Sequence, residues 1–229
     1  MEKSEKFFNE AGGGHYDIRF FRGKVEIASC QKIILDALDA FSDVCNNIDI
    51  KAIIMHGALI GWHWNKRLLP WDDDVDFCIA YGDLLKLEKI FQTYNSLYDR
   101  KKYLFEINPN HKNRTTLNRS HHNWIEPNKI DARFIDKQTG LFLDITALSP
   151  IDDKRLSTKC PHIYQISDIF PLQYSILEGR KVYLPVNVPQ VLTQEYGTEV
   201  LYKKIFAGYF FNLETDRWQP IDGSMVDNL

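Results

Sequence analysis

The stretch Pro70-Trp71-Asp72-Asp73-Asp74-Val75-Asp76-Phe77-Cys78-Ile79-Ala80 places four carboxylates within five residues at the mouth of an apolar segment. Charges this close repel one another unless a cation or a set of donors offsets them. If residues 74–80 form a strand, side chains two apart share a face, and Asp74 and Asp76 point the same way. Paired carboxylates on a rigid strand suit Mg²⁺ or Mn²⁺, hard ions that take oxygen ligands. A solvated acidic turn leading into a strand is the other reading of the run taken alone.

Working outward, Lys51-Ala-Ile-Ile-Met55 reads as a short buried strand that runs into His56-Gly57-Ala58-Leu59-Ile60-Gly61-Trp62, where glycines can open a helix. Residues 24–47 carry Ile27, Ile34, Leu35, Leu38, Phe41 and Val44 at helical spacing, and Leu84, Leu87, Ile90, Phe91 and Tyr94 do the same after Gly82-Asp83. Ile130–Ile135 and Leu141–Ile145 flank Asp136–Gly140, a hairpin signal with a five-residue connection. Within its second arm Asp144 stands alone among apolar residues. It needs a hydrogen-bonding or Arg partner, or it is a third metal-side carboxylate brought beside the first two by sheet pairing. Short strands and turns are expected over 163–186, and a short helix from Pro189 to Tyr196, ended by Gly197.

The 229 residues are 44% hydrophobic, 26% charged and 13% aromatic, with a net charge of −3. This is a folded globular composition that argues against a broad basic nucleic-acid surface. Cys30, Cys45, Cys78 and Cys160 are widely spaced, so no disulfide framework is demanded. No apolar stretch is long enough to span a bilayer, and the charged start lacks a signal-peptide core. As written, the chain reads as soluble and cytoplasmic; a chain trimmed of a membrane anchor would look the same and would belong in the Golgi lumen. The expected layout is an irregular arm over 1–23, a catalytic domain over 24–200, and a C-terminal extension over 201–229 packed on it. Residues 108–129 form a polar loop rich in His, Asn and basic side chains, with His111, His121 and His122. With Cys160 and His162 these are zinc-competent types, yet only Cys160-Pro161-His162 is closely spaced, so a structural zinc is not expected. Asn113-Arg-Thr115 and Asn118-Arg-Ser120 match the glycosylation tripeptide.

A glycine turn, an Asp-x-Asp strand and a later single Asp, in this order, resemble the nucleotidyltransferase fold. His56-Gly-Ala-Leu-Ile-Gly61 and Leu69-Pro-Trp-Asp-Asp-Asp-Val-Asp76 sharpen this to a resemblance to the LicD/fukutin phosphotransferases, supported by Ile135-Asp-Lys-x-Thr-Gly-Leu-Phe-Leu-Asp-Ile-Thr146. His15-Tyr-Asp-x-Arg-Phe-Phe21 is similar to the entry segment of fungal members linked to mannosyl-phosphate transfer. The resemblance implies an α+β fold: a nucleotidyltransferase-like mixed sheet flanked by helices, with an inserted polar loop and C-terminal embellishments. It also implies transfer of a phospho-alcohol or phospho-sugar group from a CDP- or GDP-linked donor to a hydroxyl on a glycan or small molecule, with release of nucleoside monophosphate.

On that reading Asp74, Asp76 and Asp144 are catalytic and hold the metal with help from Asp72, while Asp73 is a bystander. Asp144 could complete the metal shell or take the acceptor's proton. Gly57, Ala58, Gly61, Lys66, Arg67 and Trp71 would meet the donor; many bacterial members carry an Arg where this chain has Trp64, and Lys66 and Arg67 are the nearby substitutes. Arg114, Arg119 and His121 are candidates for an acceptor or phosphate loop. A nucleotidyltransferase attaching a nucleoside monophosphate and a non-catalytic binding member are the alternatives.

Overall fold

The helical spacing over 24–47 becomes α1 (Ile27–Asn47), which buries Cys30, Ile34, Ala37, Leu38, Phe41, Val44 and Cys45 on one stripe. A computed structural model describes residues 6–93, 97–114, 128–159 and 162–221. Before α1 come two two-residue strands, β1 (Glu10–Ala11) and β2 (Tyr16–Asp17), paired antiparallel. After it follow β3 (Ile53–Met55), α2 (His56–Asn65), β4 (Asp76–Ala80), α3 (Tyr81–Thr93), β5 (Tyr103–Ile107), β6 (Ala132–Asp136) and β7 (Phe142–Pro150). The remainder comprises β8 (Arg155–Ser157), β9 (Ile163–Gln165), α4 (Ile166–Ile169), β10 (Gln173–Leu177), β11 (Arg180–Leu184), α5 (Val188–Tyr196), β12 (Ile205–Phe206), β13 (Tyr209–Asn212) and β14 (Arg217–Pro220).

The main sheet runs β10-β11-β3-β4-β7-β6-β5, with β8 and β9 continuing from the end of β7. It is mixed: β11–β3 and β4–β7 are parallel, while β3–β4, β7–β6 and β6–β5 are antiparallel. The fold is the expected α+β class. Alternation along β4 sends Phe77 and Ile79 to one face, where Phe77 meets Phe41 of α1 at 5.4 Å between ring centroids. Phe41 also stacks on Phe105 and touches Phe134, an aromatic core under three strands. The opposite face of the same strands carries Asp76, Cys78, Arg133, Asp144 and Thr146, and Cys78 Sγ lies 3.0 Å from Thr146 Oγ1.

The acidic strand starts at Asp76 rather than at residue 74. Its neighbour β3 pairs only as far as Met55 opposite Asp76, because the chain then turns into α2 at His56 with φ 51°. With no ladder to join, residues 72–75 stay outside the sheet, following a turn over 69–72 closed by Asp72 N–H to the Leu69 carbonyl (3.0 Å). Gln31 of α1 holds that turn by donating to the Leu69 and Asp72 carbonyls at 2.8 and 3.2 Å.

The hairpin turn lies within one residue of its expected place, while β6 starts two residues later than expected and β7 runs five residues beyond Ile145, to Pro150. Asp136 closes its turn by accepting from Gln138 N–H, Thr139 N–H and the Thr139 hydroxyl. Gly140 sits at φ 87°, and a Cβ there would lie 3.0 Å from both the Asp17 carbonyl oxygen and the Phe21 nitrogen. The arm is fastened at this point, with Asp17 N–H donating to the Gly140 carbonyl at 2.7 Å and Tyr16 bridging to Leu141. Gly61 in α2 lies closer still to its surroundings: a Cβ would come 2.1 Å from the Arg67 carbonyl oxygen.

These glycines give a paired expectation. Gly61→Ala should lower stability by about 3 kcal/mol, since backbone must move. Gly82→Ala, with nothing within 4 Å of its Cβ, should be neutral or stabilising by up to about 1 kcal/mol. Urea midpoints of the two variants against the parent would check this; equal midpoints would refute it.

Candidate active site

The parallel pairing of β4 with β7 sets Asp76 directly beside Asp144, and the antiparallel pairing of β7 with β6 sets Asp144 opposite Arg133. Arg133 Nε donates to Asp144 Oδ1 at 2.6 Å and Nη2 to Oδ2 at 3.2 Å. Nη2 also reaches Glu10 at 2.7 Å, and the guanidinium lies over the rings of Phe142 and Phe8. Asp144 therefore has the Arg partner that its apolar setting called for. Burial pushes its carboxyl upward and the Arg133 charge opposes this without cancelling it.

Asp76 is the most strongly perturbed acid of the run. Burial and the charge of Asp74 lift its carboxyl to about 8, with Asp144 adding to the rise and His56 and His15 opposing it. Asp74 is raised mainly by burial, against the pull of His15. Two imidazoles partly neutralise the group. His15, from the arm, places Nδ1 2.7 Å from Asp73 Oδ1 and Nε2 3.4 Å from Asp74 Oδ2. Burial lowers its pKa, but Asp74 and Asp73 together raise it. His56 sits at the left-handed turn between β3 and α2, a conformation that costs a non-glycine residue about 1–2 kcal/mol. Its Nδ1 meets Glu195 Oε2 at 2.9 Å, and the Tyr164 hydroxyl donates to the other Glu195 oxygen at 2.5 Å. Burial pulls the imidazole down, but Glu195, joined by Asp76 and Asp74, outweighs it and lifts it to about 9.

Among the described residues, one three-membered set brings metal-ligating atoms within 4.8 Å of one another: His15, Asp73 and Asp74. Asp74, Asp76 and Asp144 do not close to that distance as a set, since Arg133 holds Asp144 and His15 draws Asp74. Asp73 faces His15 and Gly14 and so belongs to the cluster's outer edge, rather than standing aside. Asp72 turns the other way. Its Oδ2 would lie 2.6 Å from a Cβ on Gly57, which explains the glycine there, and is buried with no hydrogen-bond partner. Burial, then Asp74 and Asp73, raise this carboxyl to about 7. An orphaned buried oxygen within an oxygen-rich, self-repelling group fits a hard divalent cation or a ligand donor.

Gly57, Asp72 and Trp71 share a cavity of about 340 Å³ with Trp64, Tyr196, Phe206 and Trp218. Ala58 and Gly61 are buried in α2 and do not line it. Lys66 and Arg67 are not brought to the acids. Lys66 caps α2 in a left-handed conformation. Arg67 pairs with Glu178 at 3.5 Å and lines a separate cleft beside Gln31 and Lys32. Arg114, expected at a phosphate loop, is instead a clasp: it pairs with buried Asp131 at 3.1 Å, donates to the Ala147 carbonyl and lies over Tyr81. Buried His111 is held between Tyr81 and Glu88 at 3.4 Å each. Arg119, His121, His122, Cys160 and the 118–120 tripeptide lie outside the described residues.

Sequence reading passed over Arg133, Glu195 and the roles of His15 and His56. Arg133 had a usable signal, because it and Asp144 each stand two residues beyond the Ile135–Phe142 pair, so the hairpin register alone sets them opposite. Glu195 carried none, since only the tertiary fold brings α5 to α2.

Across residues 49–187 the sequence matches the LicD/FKTN/FKRP nucleotidyltransferase domain. The chain belongs to the LicD family. Two similar proteins of Saccharomyces cerevisiae are mannosyltransferase regulator 4, 31% identical over 159 residues, and mannosyltransferase regulator 14, 31% identical over 104. These alignments cover 63% and 44% of this chain but 13% and 10% of the relatives, so it spans a small fraction of their length. The LicD match holds every acid of the run and Asp144, and it ends before Glu195, Tyr196, Phe206 and Trp218.

The His56–Glu195 pair should shape stability against pH. The His56 value is raised, so its contribution is complete below the unfolded histidine value of about 6.5 and is lost as pH rises through about 9. Glu195 is lowered, against burial, by His56, so its share is lost only as pH falls through its depressed value. Glu195→Gln should cost about 3–5 kcal/mol near pH 6, and the deficit should shrink by pH 10. A deficit independent of pH in denaturant titrations would contradict the pairing.

Proposed function

We propose that this LicD domain is a metal-dependent phosphotransferase. It would move a phospho-alcohol or phospho-sugar group from a nucleoside-diphosphate-linked donor to a hydroxyl acceptor and release the nucleoside monophosphate. The observation that carries the reading is the in-register pair Asp76–Asp144, with Asp74 two residues before Asp76, in a setting where burial and mutual repulsion oppose ionisation of all three. Such a group is unfavourable for folding and well suited to Mg²⁺ or Mn²⁺. Asp74 and Asp76 would hold the ion; Asp144, oriented on both oxygens by Arg133, would be the third carboxylate. The ion, when bound, supplies charge neutralisation at the diphosphate oxygens, the main requirement of phosphoryl transfer. Arg133 donates to both oxygens of Asp144, which favours a ligand or charge-bearing role over that of a proton acceptor. His56, whose pKa Glu195 raises, would add positive charge toward Asp76. The family membership supports the reaction class.

A second reading is favoured by the names of the yeast relatives, which are called regulators of a mannosyltransferase. On it the acids would hold a cation or a nucleotide-sugar without turnover, and the chain would act through a partner enzyme.

Mn²⁺ should raise the melting temperature of the parent protein. Asp74→Asn and Asp76→Asn should each be as stable or more stable without the ion, because repulsion is relieved, and should lose the Mn²⁺ response. With CDP- and GDP-linked donors and Mn²⁺, nucleoside monophosphate should be released, and Asp76→Asn should slow this about 100-fold or more. Release of diphosphate or pyrophosphate would point to nucleotidyl transfer. An intact Mn²⁺ response with no nucleotide released from any donor would favour the regulatory reading.

A further inference from the structure

The arm that carries β1 and β2 lies before the LicD match, which begins at residue 49. His15, the residue just before β2, packs its ring edge-on against Phe142, at 6.0 Å between centroids and an interplanar angle of 88°. Phe142 stands two residues before Asp144 on β7, and so on the same face of the sheet. The backbone after His15 is held in place. Tyr16 N–H donates to the Gly14 carbonyl at 3.0 Å, Asp17 N–H donates to the Gly140 carbonyl, and the Tyr16 hydroxyl accepts from Val25 N–H at 3.0 Å.

The two ring nitrogens of His15 have different partners. The Asp73 carboxylate can only accept, so the 2.7 Å contact makes Nδ1 the donor. Nε2 then faces Asp74 Oδ2 at 3.4 Å, wider than the about 2.7–3.2 Å of an N–H···O hydrogen bond. In a neutral imidazole that nitrogen carries a lone pair, and a lone pair opposite a carboxylate oxygen needs a cation between them. Metal bonds of about 2.1 Å, meeting at octahedral or tetrahedral angles, set neighbouring donor atoms about 3.0–3.4 Å apart. A carboxylate on one ring nitrogen and a metal on the other is the arrangement that fixes tautomer and orientation in metal-binding histidines. An ion can reach the pair, since the side chains of His15 and Asp74 are 40% and 23% exposed. Gly14 leaves space for the orienting carboxylate, because a Cβ there would lie 3.2 Å from Asp73 Oδ2.

We infer that His15 is a ligand to the divalent ion of the acidic site, binding through Nε2 alongside Asp74, and that Asp73 is the positioning residue that holds its ring. This rests on the metal-dependent reading for the ion itself. It adds to that reading a nitrogen donor from outside the family domain, and with it a choice of metal. Mg²⁺ keeps to oxygen ligands in near-ideal octahedral geometry, whereas imidazole suits transition ions, so the site prefers Mn²⁺ to Mg²⁺. A histidine that served only as a counter-charge to Asp74 would act in the opposite sense, because a protonated imidazole repels an incoming cation.

Mn²⁺ bound to the purified chain is measured from the electron paramagnetic resonance of the free ion, and Mg²⁺ by competition against it. Bound Mn²⁺ is then examined by spin-echo modulation for hyperfine coupling to nitrogen. The parent is expected to show that coupling and to bind Mn²⁺ more tightly than Mg²⁺. His15→Phe, which keeps a ring against Phe142, should abolish the coupling, weaken Mn²⁺ about tenfold or more and weaken Mg²⁺ less. Asp73→Asn should weaken Mn²⁺ about tenfold and reduce the depth of the nitrogen modulation, which loss of a remote charge alone would leave unchanged. Melting curves in EDTA establish that the variants are folded; should His15→Phe not be, the parent spectrum and Asp73→Asn decide. Mn²⁺ bound without nitrogen coupling, or bound by His15→Phe as tightly as by the parent or more so, would overturn His15 as a ligand and leave the metal-dependent phosphotransferase reading standing. A coupling that survives His15→Phe would assign the nitrogen to another histidine and overturn it as well. Absence of Mn²⁺ binding by the parent would overturn both.

Discussion

Carboxylates forced side by side in a sheet are the constraint around which this domain is organised. Asp76 and Asp144 cannot separate without breaking the β4–β7 pairing that runs through the centre of the sheet. Their repulsion is therefore offset from the flanks. Arg133 arrives from β6, His15 from the arm and His56 from the β3–α2 turn. None of these cations neighbours the acids in the chain. The price in conformational order is visible at His56, a non-glycine residue in the left-handed region, kept there by a buried ion pair with Glu195.

The two faces of β4 divide the work. Phe77 and Ile79 enter an aliphatic and aromatic core to which α1 contributes Phe41, while Asp76 and Cys78 look toward the site. Because Gln31 of α1 holds the carbonyls of the 69–72 turn, the helix that fills the core also positions the acidic run. Packing and chemistry share the same scaffold, which favours a site held in one geometry over one assembled on binding.

Much of this was legible in the sequence because the signals were local. The periodicity of 24–47, the Asp136–Gly140 turn and the α5 helix stopped by Gly197 each depend on residues a few positions apart, and each lies within a few residues of its expected place. Alternation failed for Asp74, because a strand needs a neighbour and β3 stops pairing at Met55. Positive charge near the acids was sought in Lys66 and Arg67 for their proximity in sequence, yet Glu178 on the β10–β11 turn holds Arg67 elsewhere. Arg114 failed for a similar reason: a basic residue in a polar loop gave no hint of the buried Asp131 beneath it. The aromatic lining of the cavity beside Gly57 and Asp72 was equally hidden, since Trp71 and Trp218 are separated by most of the chain and meet only when the C-terminal sheet β12-β13-β14 folds back.

Gly140 ties two sides of the site to one point. It ends the turn that aligns Asp144 with Arg133, and its carbonyl receives the Asp17 amide that fixes the arm bearing His15. The hairpin and the arm are thus joined directly, although more than a hundred residues of chain lie between them. A fluctuation that releases the arm removes a cation from Asp74 and loosens the turn behind Asp144 in the same event. His56, anchored to Glu195 on the far side of the cluster, lies outside this linkage, so the acids are tethered by two separate supports.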